Sequence, residues 1–273
     1  MKPPQTDKLA VLARGLGTRM RRCDEAATLD DRQAAVAETG VKALIPIDRP
    51  FLDYVLHAAA EAGFRRVCLV VGPGRSALRE YYEPMKTRRI QIEFAVQQEP
   101  KGTADAVAAT EAFAAGDPLV VLNSDTYYPV AALRQLRQQE APATALFDHA
   151  SVATGGNIPE QRLRAFAVGR IDHEGFLQEI IEKPDADTWA SLPRPIRLSL
   201  NCWLFGPAIF EACRSIGPSQ RGEYEIPAAV QYAVDNLGER FHVVTIHEAV
   251  LDLSSRQDVA AVAARLAGTE VVL

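Results

Sequence analysis

The residues with the clearest chemical potential sit in one short turn, Arg14-Gly15-Leu16-Gly17-Thr18-Arg19-Met20, which directly follows an apolar run at residues 8–13. Glycines at such a turn let the backbone approach phosphate oxygens, and the exposed N–H groups there accept negative charge. In an α/β sheet, the turn at the carboxyl end of the first strand is a ligand-binding position. The residue types exclude two phosphate loops. A dinucleotide fold requires G-x-G-x-x-G, and Met20 occupies the place of the third glycine. That substitution counts against a nicotinamide-dependent oxidoreductase. A Walker A loop, G-x-x-x-x-G-K-[ST], is not matched either. The chain has no G-x-S-x-G elbow and no Cys/His nucleophile pair. The five histidines, at 57, 149, 173, 242 and 247, never pair at ligand spacing.

Holding that turn requires a sheet, and the apolar pattern supplies one. Strands are expected at residues 8–13, 66–71, 90–96 and 118–122. They alternate with helices at 51–62 (closed by Gly63), 76–82 and 104–115. Continuous apolar strands between helices predict a parallel sheet covered on both faces. After about residue 140 the pattern changes. Strands at 165–171 and 176–181 are joined by a hairpin signal at 172–175, followed by a strand at 197–205 and a helix at 224–237. A strand at 241–246 and a helix at 256–266 complete the pattern. This half reads as a smaller antiparallel substrate lobe grafted on the parallel sheet, with no Pro/Gly/Ser linker between the two.

Composition narrows the class further. With 273 residues, of which 48% are hydrophobic and 24% charged, the chain has ample material for a folded core. Thirty Lys and Arg against 35 Asp and Glu give a net charge of -5, which disfavours nucleic acid or an anionic membrane as a partner. No apolar window reaches the ~18 residues of a membrane span. Residues 1–13 lack the apolar core of a secretory leader, so none is expected. Cys23, Cys68, Cys202 and Cys213 form no C-x-x-C, and reduced thiols in the cytoplasm are the expectation. No repeat of 20–50 residues and no hexapeptide solenoid is present, so no C-terminal β-helix is expected.

The glycine turn and the residues after it resemble the sugar-1-phosphate nucleotidylyltransferases, also called NDP-sugar pyrophosphorylases. Their opening signature, L-A-x-G-x-G-T-R-[ML] followed by [PK]-K-x-[LM]-x-P, is matched by Leu12, Ala13, Gly15, Gly17, Thr18, Arg19, Met20, Lys42 and Pro46. Further matches follow in family order. Residues 97–104, from Gln97 through Gly102, Thr103 and Ala104, resemble the base-recognition segment. Asn123-Ser124-Asp125, Glu182-Lys183-Pro184, Arg221-Gly222-Glu223-Tyr224-Glu225-Ile226 and Val250-Leu251-Asp252 complete the series, which spans residues 12 to 252. The resemblance implies an α/β fold: a Rossmann-like, mixed, mostly parallel sheet sandwiched by helices, with a small antiparallel sugar-binding lobe. It implies a single domain over 1–273, with a nucleotide-binding core to about 140 and a sugar-binding part over 141–273.

The implied reaction joins a nucleoside triphosphate to a sugar 1-phosphate and releases pyrophosphate. Leu12, Ala13, Gly15, Gly17, Thr18, Gln97, Gly102 and Thr103 would bind the nucleotide. Arg19 would hold the β/γ-phosphates and Lys42 would sit near the α-phosphate, whereas Arg21 and Arg22 read as solvated charge. Asp125 and Asp252 would share a Mg²⁺, the usual family D-x-G-[TS] reading Asp252-Leu253-Ser254-Ser255 here. A primary amide at Gln97 carries both donor and acceptor, which suits uracil or thymine and favours UTP or dTTP. Gln98 competes for that role, and residues 102–107 also resemble ATP-using relatives. Glu182 and Ala167 would meet the sugar and Lys183 its phosphate.

Several positions depart from the family. Asn201 stands where relatives often carry glycine, and either bonds a sugar hydroxyl or satisfies a strand end. Phe166-Ala167 replaces Tyr-Gly. Glu223 either touches sugar or caps the following helix. Arg14 replaces a small residue and either strengthens triphosphate binding or points away. Residues 22–40, with Asp24, Glu25, Asp30, Asp31 and Glu38, lengthen the span between glycine turn and Lys42, and read as a helical lid or subunit contact. A non-hexose phosphate acceptor, another nucleoside triphosphate, and a sugar-nucleotide-binding regulator without chemistry stand as alternatives. Homo-oligomerisation is left open.

Overall fold

The structure, a computed structural model, describes residues 6–24 and 26–273. Residues 1–5, part of the leader expectation, and Glu25 of the insertion lie outside the described residues. Strands β1 (Lys8–Leu12), β2 (Arg66–Val71), β3 (Gln91–Val96) and β4 (Leu119–Asn123) come first in the chain, followed by the short β5 (Thr126–Tyr127). Then come β6 (Ala143–Asp148), β7 (Ala167–Ile171), β8 (Leu177–Ile181), β9 (Arg197–Phe205), β10 (His242–Ile246) and the short β11 (Leu251–Asp252). The main sheet runs β10-β6-β9-β4-β1-β2-β3, with β7 paired to β9 and β8 to β7.

β1, β2, β3 and β4 are mutually parallel; β1, β2 and β4 are the continuous apolar runs that suit burial on both faces, whereas edge strand β3 alternates, with Gln91 and Glu93 exposed. Alternation along β1 divides the core. Leu9 and Val11 pack with Val67, Leu69, Val120 and Leu122 on one face. Ala10 packs with Cys68, Val70 and Val121 on the other, where Trp203, Phe205 and Phe241 join it. The expected helix at 51–62 forms as Phe51–Ala62, and Gly63 closes it in the left-handed conformation. The expected helix at 104–115 divides instead into Thr103–Ala108 and Glu111–Ala114. Buried Thr110 sits at the break and turns its hydroxyl back to the Val107 carbonyl at 2.6 Å, which competes with helix continuation.

The second half divides between the main sheet and a small antiparallel addition. β6, which the sequence pattern did not reveal, is buried along its whole length, and β10 pairs with it in parallel. Both belong to the main sheet. β9 is antiparallel to its neighbours β4 and β6, and the antiparallel addition is confined to the β7–β8 hairpin beside it. That hairpin turns where expected: the Asp172 carboxylate accepts the N–H groups of Glu174 and Phe176, both at 2.9 Å.

β9 carries a bulge. Thr144 of β6 faces Trp203, while Leu146 faces Ser199, so residues 200–202 share the width of one partner residue. Asn201, at its centre, has φ 54°. Two buried hydroxyls satisfy the carbonyls this irregularity frees. Tyr128 donates to Leu200 O at 2.6 Å and lies 3.3 Å from Asn201 O, and Thr144 donates to Cys202 O at 3.3 Å. Tyr128→Phe leaves buried carbonyls unpaired and is expected to cost about 1–3 kcal/mol. A lowered midpoint in urea unfolding is the predicted reading; an unchanged midpoint would mean that the bulge does not depend on that hydroxyl.

Candidate active site

Parallel strands place the glycine turn, Gln97 and Asp125 at one edge of the sheet, after the carboxyl ends of β1, β3 and β4. The strand ends are laced together. Ala13 N–H donates to Val70 O at 3.0 Å, Ser124 N–H to Leu12 O at 3.3 Å and Gln97 N–H to Val71 O at 2.9 Å. Gly15 and Leu16 are exposed, and Gly17 precedes the short helix Thr18–Arg21 with φ 59° and ψ 30°. A Cβ on Gly17 would lie 1.9 Å from Gly40 O, so only glycine permits this contact. Arg19 is exposed and has no partner among the described residues.

The Gly17–Gly40 contact defines what the insertion does. Its helix, Asp31–Thr39, begins with a capping box between Asp30 and Gln33 and ends at Gly40, φ 77°. The Gln33 amide donates to Pro46 O at 3.0 Å, and Lys42 N–H donates to Gly40 O at 2.9 Å. The insertion thus braces the glycine turn against the 3-10 turn Lys42–Leu44, which carries Lys42. Arg21, expected as solvated charge, donates from Nε to Leu16 O at 3.1 Å and closes the glycine turn. Arg14 turns away from that loop, and its guanidinium donates to the carbonyls of Gln97 and Gln98.

Gln97 is buried, and its Nε2 donates to Gly102 O at 2.9 Å and to Asp105 Oδ2 at 2.8 Å. Both amide protons are thereby used, so Gln97 offers an incoming base an acceptor, Oε1, and not the donor–acceptor pair expected from its residue type. Gly102 has φ 120°, and a Cβ there would meet Tyr224 O at 2.4 Å. Around it, Tyr224 N–H donates to Lys101 O at 2.7 Å and Ala104 N–H to Tyr224 O at 2.9 Å. Thr103, expected against the nucleotide, uses its hydroxyl to accept Ile226 N–H at 2.9 Å. It therefore caps the helix Ile226–Leu237, in place of the cap considered for Glu223.

The two-residue ladder of β5 and β11 sets Asp252 opposite Thr126, and Leu253 N–H donates to Asp125 O at 2.8 Å. Two carboxylates far apart in the chain become neighbours, each with its own cation. Lys42 Nζ lies 2.8 Å from Asp125 Oδ2, and Arg162 Nη2 lies 2.6 Å from Asp252 Oδ2. Burial, followed by the negative charge of Asp125, pushes the Asp252 carboxyl up to about 6 against the opposing effect of Arg162. Two hard-oxygen carboxylates fit Mg²⁺, which takes one or two protein carboxylates and completes its shell with phosphates and water. No group of three or more His, Cys, Asp or Glu suited to a metal occurs among the described residues.

Lys183 and Asn201 share an unusual backbone. Their φ values of 45° and 54° fall in the left-handed region, which non-glycine residues seldom occupy. For Asn201 this explains a position where glycine is common, since Asn tolerates that conformation better than most residues. Its Oδ1 accepts the Trp203 indole N–H at 3.2 Å, which realises the strand-end role and leaves the amide N–H₂ available. Lys183 is exposed without a partner among the described residues. Glu182 is exposed, yet desolvation by its surroundings, then the charge of Glu225, raises its carboxyl pKa. Ala167, at the start of β7, pairs with Ser199 of β9, two residues before Asn201.

A glycine turn, a buried amide and paired carboxylates at the carboxyl edge of a mostly parallel sheet define a nucleotide-binding α/β protein. The chain belongs to the nucleotidyl transferase family, whose model matches residues 36–265, and this is the family its motifs resemble. It is 30% identical over 234 residues to a glucose-1-phosphate thymidylyltransferase of Streptomyces antibioticus, covering 84% of this chain and 58% of that protein. It is 26% identical over 249 residues to the UTP–glucose-1-phosphate uridylyltransferase AglF of Haloferax volcanii, covering 91% of each. The chain thus spans about three fifths of some curated relatives and nearly the whole of another. A solved UDP-glucose pyrophosphorylase complexed with UDP-glucose superposes over 96% of this chain and 99% of that one, with a TM-score of 0.73 at 18% identity; the fold is shared.

Asp252 gives a pH signature. Its folded pKa of about 6 lies above the ordinary carboxyl value of 3.8, so between those values the folded protein keeps a proton that the unfolded chain releases. Stability therefore falls as pH rises through this window. In metal-free protein, Asp252→Asn is predicted to be more stable than wild type at pH 7.5, and to lose that advantage near pH 4. Urea midpoints at both pH values check this; an advantage independent of pH would contradict it.

Proposed function

We propose that the protein transfers a nucleotidyl group from a nucleoside triphosphate, UTP or dTTP in preference, to a sugar 1-phosphate, giving an NDP-sugar and pyrophosphate. The observation that carries this reading is the juxtaposition of Asp125 and Asp252 at the same sheet edge as the glycine turn and Lys42. An oxygen of the sugar phosphate attacks the α-phosphorus in line, the bond from that phosphorus to the bridging oxygen breaks, and pyrophosphate leaves. Positioning and charge neutralisation then account for catalysis, with no protein nucleophile.

The roles follow from which groups are already engaged. Unpaired Arg19 takes the β/γ-phosphates and the departing pyrophosphate. Lys42 exchanges its Asp125 partner for an α-phosphate oxygen. Asp125 and Asp252 would hold Mg²⁺, which would supply positive charge to the reacting phosphates. Gln97 Oε1 accepts the N3–H of uracil or thymine, a proton that cytosine lacks. Lys183 neutralises the sugar phosphate, and Glu182 and the Asn201 amide bond sugar hydroxyls. Apart from Asp252, which the metal role ties to both substrates, residues to about 140 thus serve the nucleotide and residues 141–273 the sugar.

Asn201 in a glycine position and Phe166-Ala167 in place of Tyr-Gly favour, as a second reading, an acceptor other than glucose 1-phosphate. Intact Arg19, Lys42, Asp125 and Lys183 weigh against a binding-only regulator. No helix of the described residues is long and apolar enough to cross a membrane. A cytoplasmic enzyme, with assembly into homo-oligomers left open, is the matching cellular reading.

Pyrophosphate release with Mg²⁺, over a matrix of nucleoside triphosphates and sugar or cyclitol 1-phosphates, tests the proposal. Release is expected only when both substrates are present, with UTP or dTTP favoured, and to fall about 100-fold or more in Asp125→Asn. Silence across the matrix with nucleotide still bound would overturn the enzymatic reading in favour of a binding regulator.

A further inference from the structure

The segment Asp252-Leu253-Ser254-Ser255, which departs from the family pattern, is organised by residues distant in sequence. Asp258, at the start of the helix Asp258–Leu266, accepts through Oδ2 from Ser254 N–H at 3.0 Å, Ser255 N–H at 2.7 Å and the Ser255 hydroxyl at 2.9 Å. The same carboxylate receives Arg162 Nη1 at 2.9 Å on Oδ1 and 3.1 Å on Oδ2. The other arm of that guanidinium, Nη2, reaches Asp252 Oδ2 at 2.6 Å. One arginine therefore bridges Asp252 to the loop that follows it. The backbone of Asp252 is fixed independently: Asn157 Nδ2 donates to its carbonyl at 2.7 Å, and its N–H donates to Asn157 Oδ1 at 2.8 Å.

We infer that Arg162 is the positioning residue of the second metal-binding carboxylate, fixing the orientation of the Asp252 side chain through Oδ2. The inference rests on the proposed role of Asp252 toward Mg²⁺. Mg²⁺ demands near-octahedral geometry and penalises a carboxylate free to rotate into two-oxygen contact. Partners that orient a ligating carboxylate commonly change metal affinity 10–100-fold when removed.

The two cations of the site play different parts. Lys42 pairs with Asp125 alone and is free to leave it for a phosphate. Arg162 is planar and forked, bonds two carboxylates at once and is mostly buried, with 22% of its side chain exposed. Its Nε is buried without a partner, so these two carboxylates hold the guanidinium. Substrate binding gives it nothing to exchange for. Arg162 thus also keeps Asp125 and Asp252 from facing each other as an uncompensated pair when Lys42 departs.

The test is Mn²⁺ binding to the full-length protein, with free Mn²⁺ read by electron paramagnetic resonance, for wild type, Arg162→Gln, Arg162→Lys, Asp252→Asn and the Arg162→Gln/Asp252→Asn double variant. The expected result is a loss of about 10-fold or more in Arg162→Gln, a smaller loss in Arg162→Lys, and no further loss from Arg162→Gln once Asp252 is Asn. A general loosening of the fold would weaken both backgrounds alike. Should Arg162→Gln not fold, Arg162→Lys carries the comparison, because a single ammonium cannot bridge both carboxylates in the same geometry. Equal binding by wild type and Asp252→Asn would refute the underlying metal role. Wild-type binding that depends on Asp252 but is unchanged, or tighter, in the Arg162 variants would overturn the inference alone.

Discussion

Two carboxylates held side by side repel, and a fold that places them so must neutralise both. Here the ladder of β5 and β11 brings Asp252 to Asp125, and Lys42 and Arg162 each answer one of them. Much of the surrounding architecture serves this arrangement. Asn157 fixes the Asp252 backbone, Asp258 anchors Arg162 and closes the serine loop, and the 3-10 turn after Gly40 delivers Lys42. The raised Asp252 carboxyl is the residual cost of burial beside a like charge, and a divalent cation would relieve it.

Strained or crowded backbone recurs where ligands are expected. Gly17 touches Gly40, Gly102 lies against Tyr224, and Lys183 and Asn201 hold left-handed conformations. Three of these have bonded support: the Arg21 clamp on Leu16 beside Gly17, the two-way pairing of residues 101–104 with Tyr224 around Gly102, and the hydroxyls of Tyr128 and Thr144 at the β9 bulge around Asn201. Such support would let a rigid scaffold hold the proposed phosphate, base and sugar contacts in one geometry before substrate arrives. The insertion at 22–40 belongs to this support. It is a brace between the segments carrying Arg19 and Lys42.

The first half of the fold was legible because β1, β2 and β4 are short continuous apolar runs and β3 alternates apolar with polar residues. β6 escaped because Ala143 and Ala145 alternate with Thr144 behind Pro142, a pattern weak in strand formers whose stability comes from burial on both faces. Asp125, Asp252, Arg19 and Lys42 were legible through ordered motifs. What those groups bond was not. The donors of Gln97 are claimed by Asp105 and Gly102, Thr103 caps a helix 123 residues away, and Arg162 meets Asp252 across 90 residues. These are consequences of tertiary proximity, which leaves no local spacing to read. The one hint was the Ser254-Ser255 departure, whose N–H groups Asp258 collects.

Anomalous diffraction from crystals grown with Mn²⁺ and a non-hydrolysable UTP analogue addresses the central claim most directly. A single peak within coordination distance of one oxygen from Asp125 and one from Asp252, with the base at Gln97 and the phosphates over the glycine turn, is the predicted result. A nucleotide bound in that orientation with the peak away from both carboxylates, or a nucleotide seated elsewhere on the sheet, would contradict it.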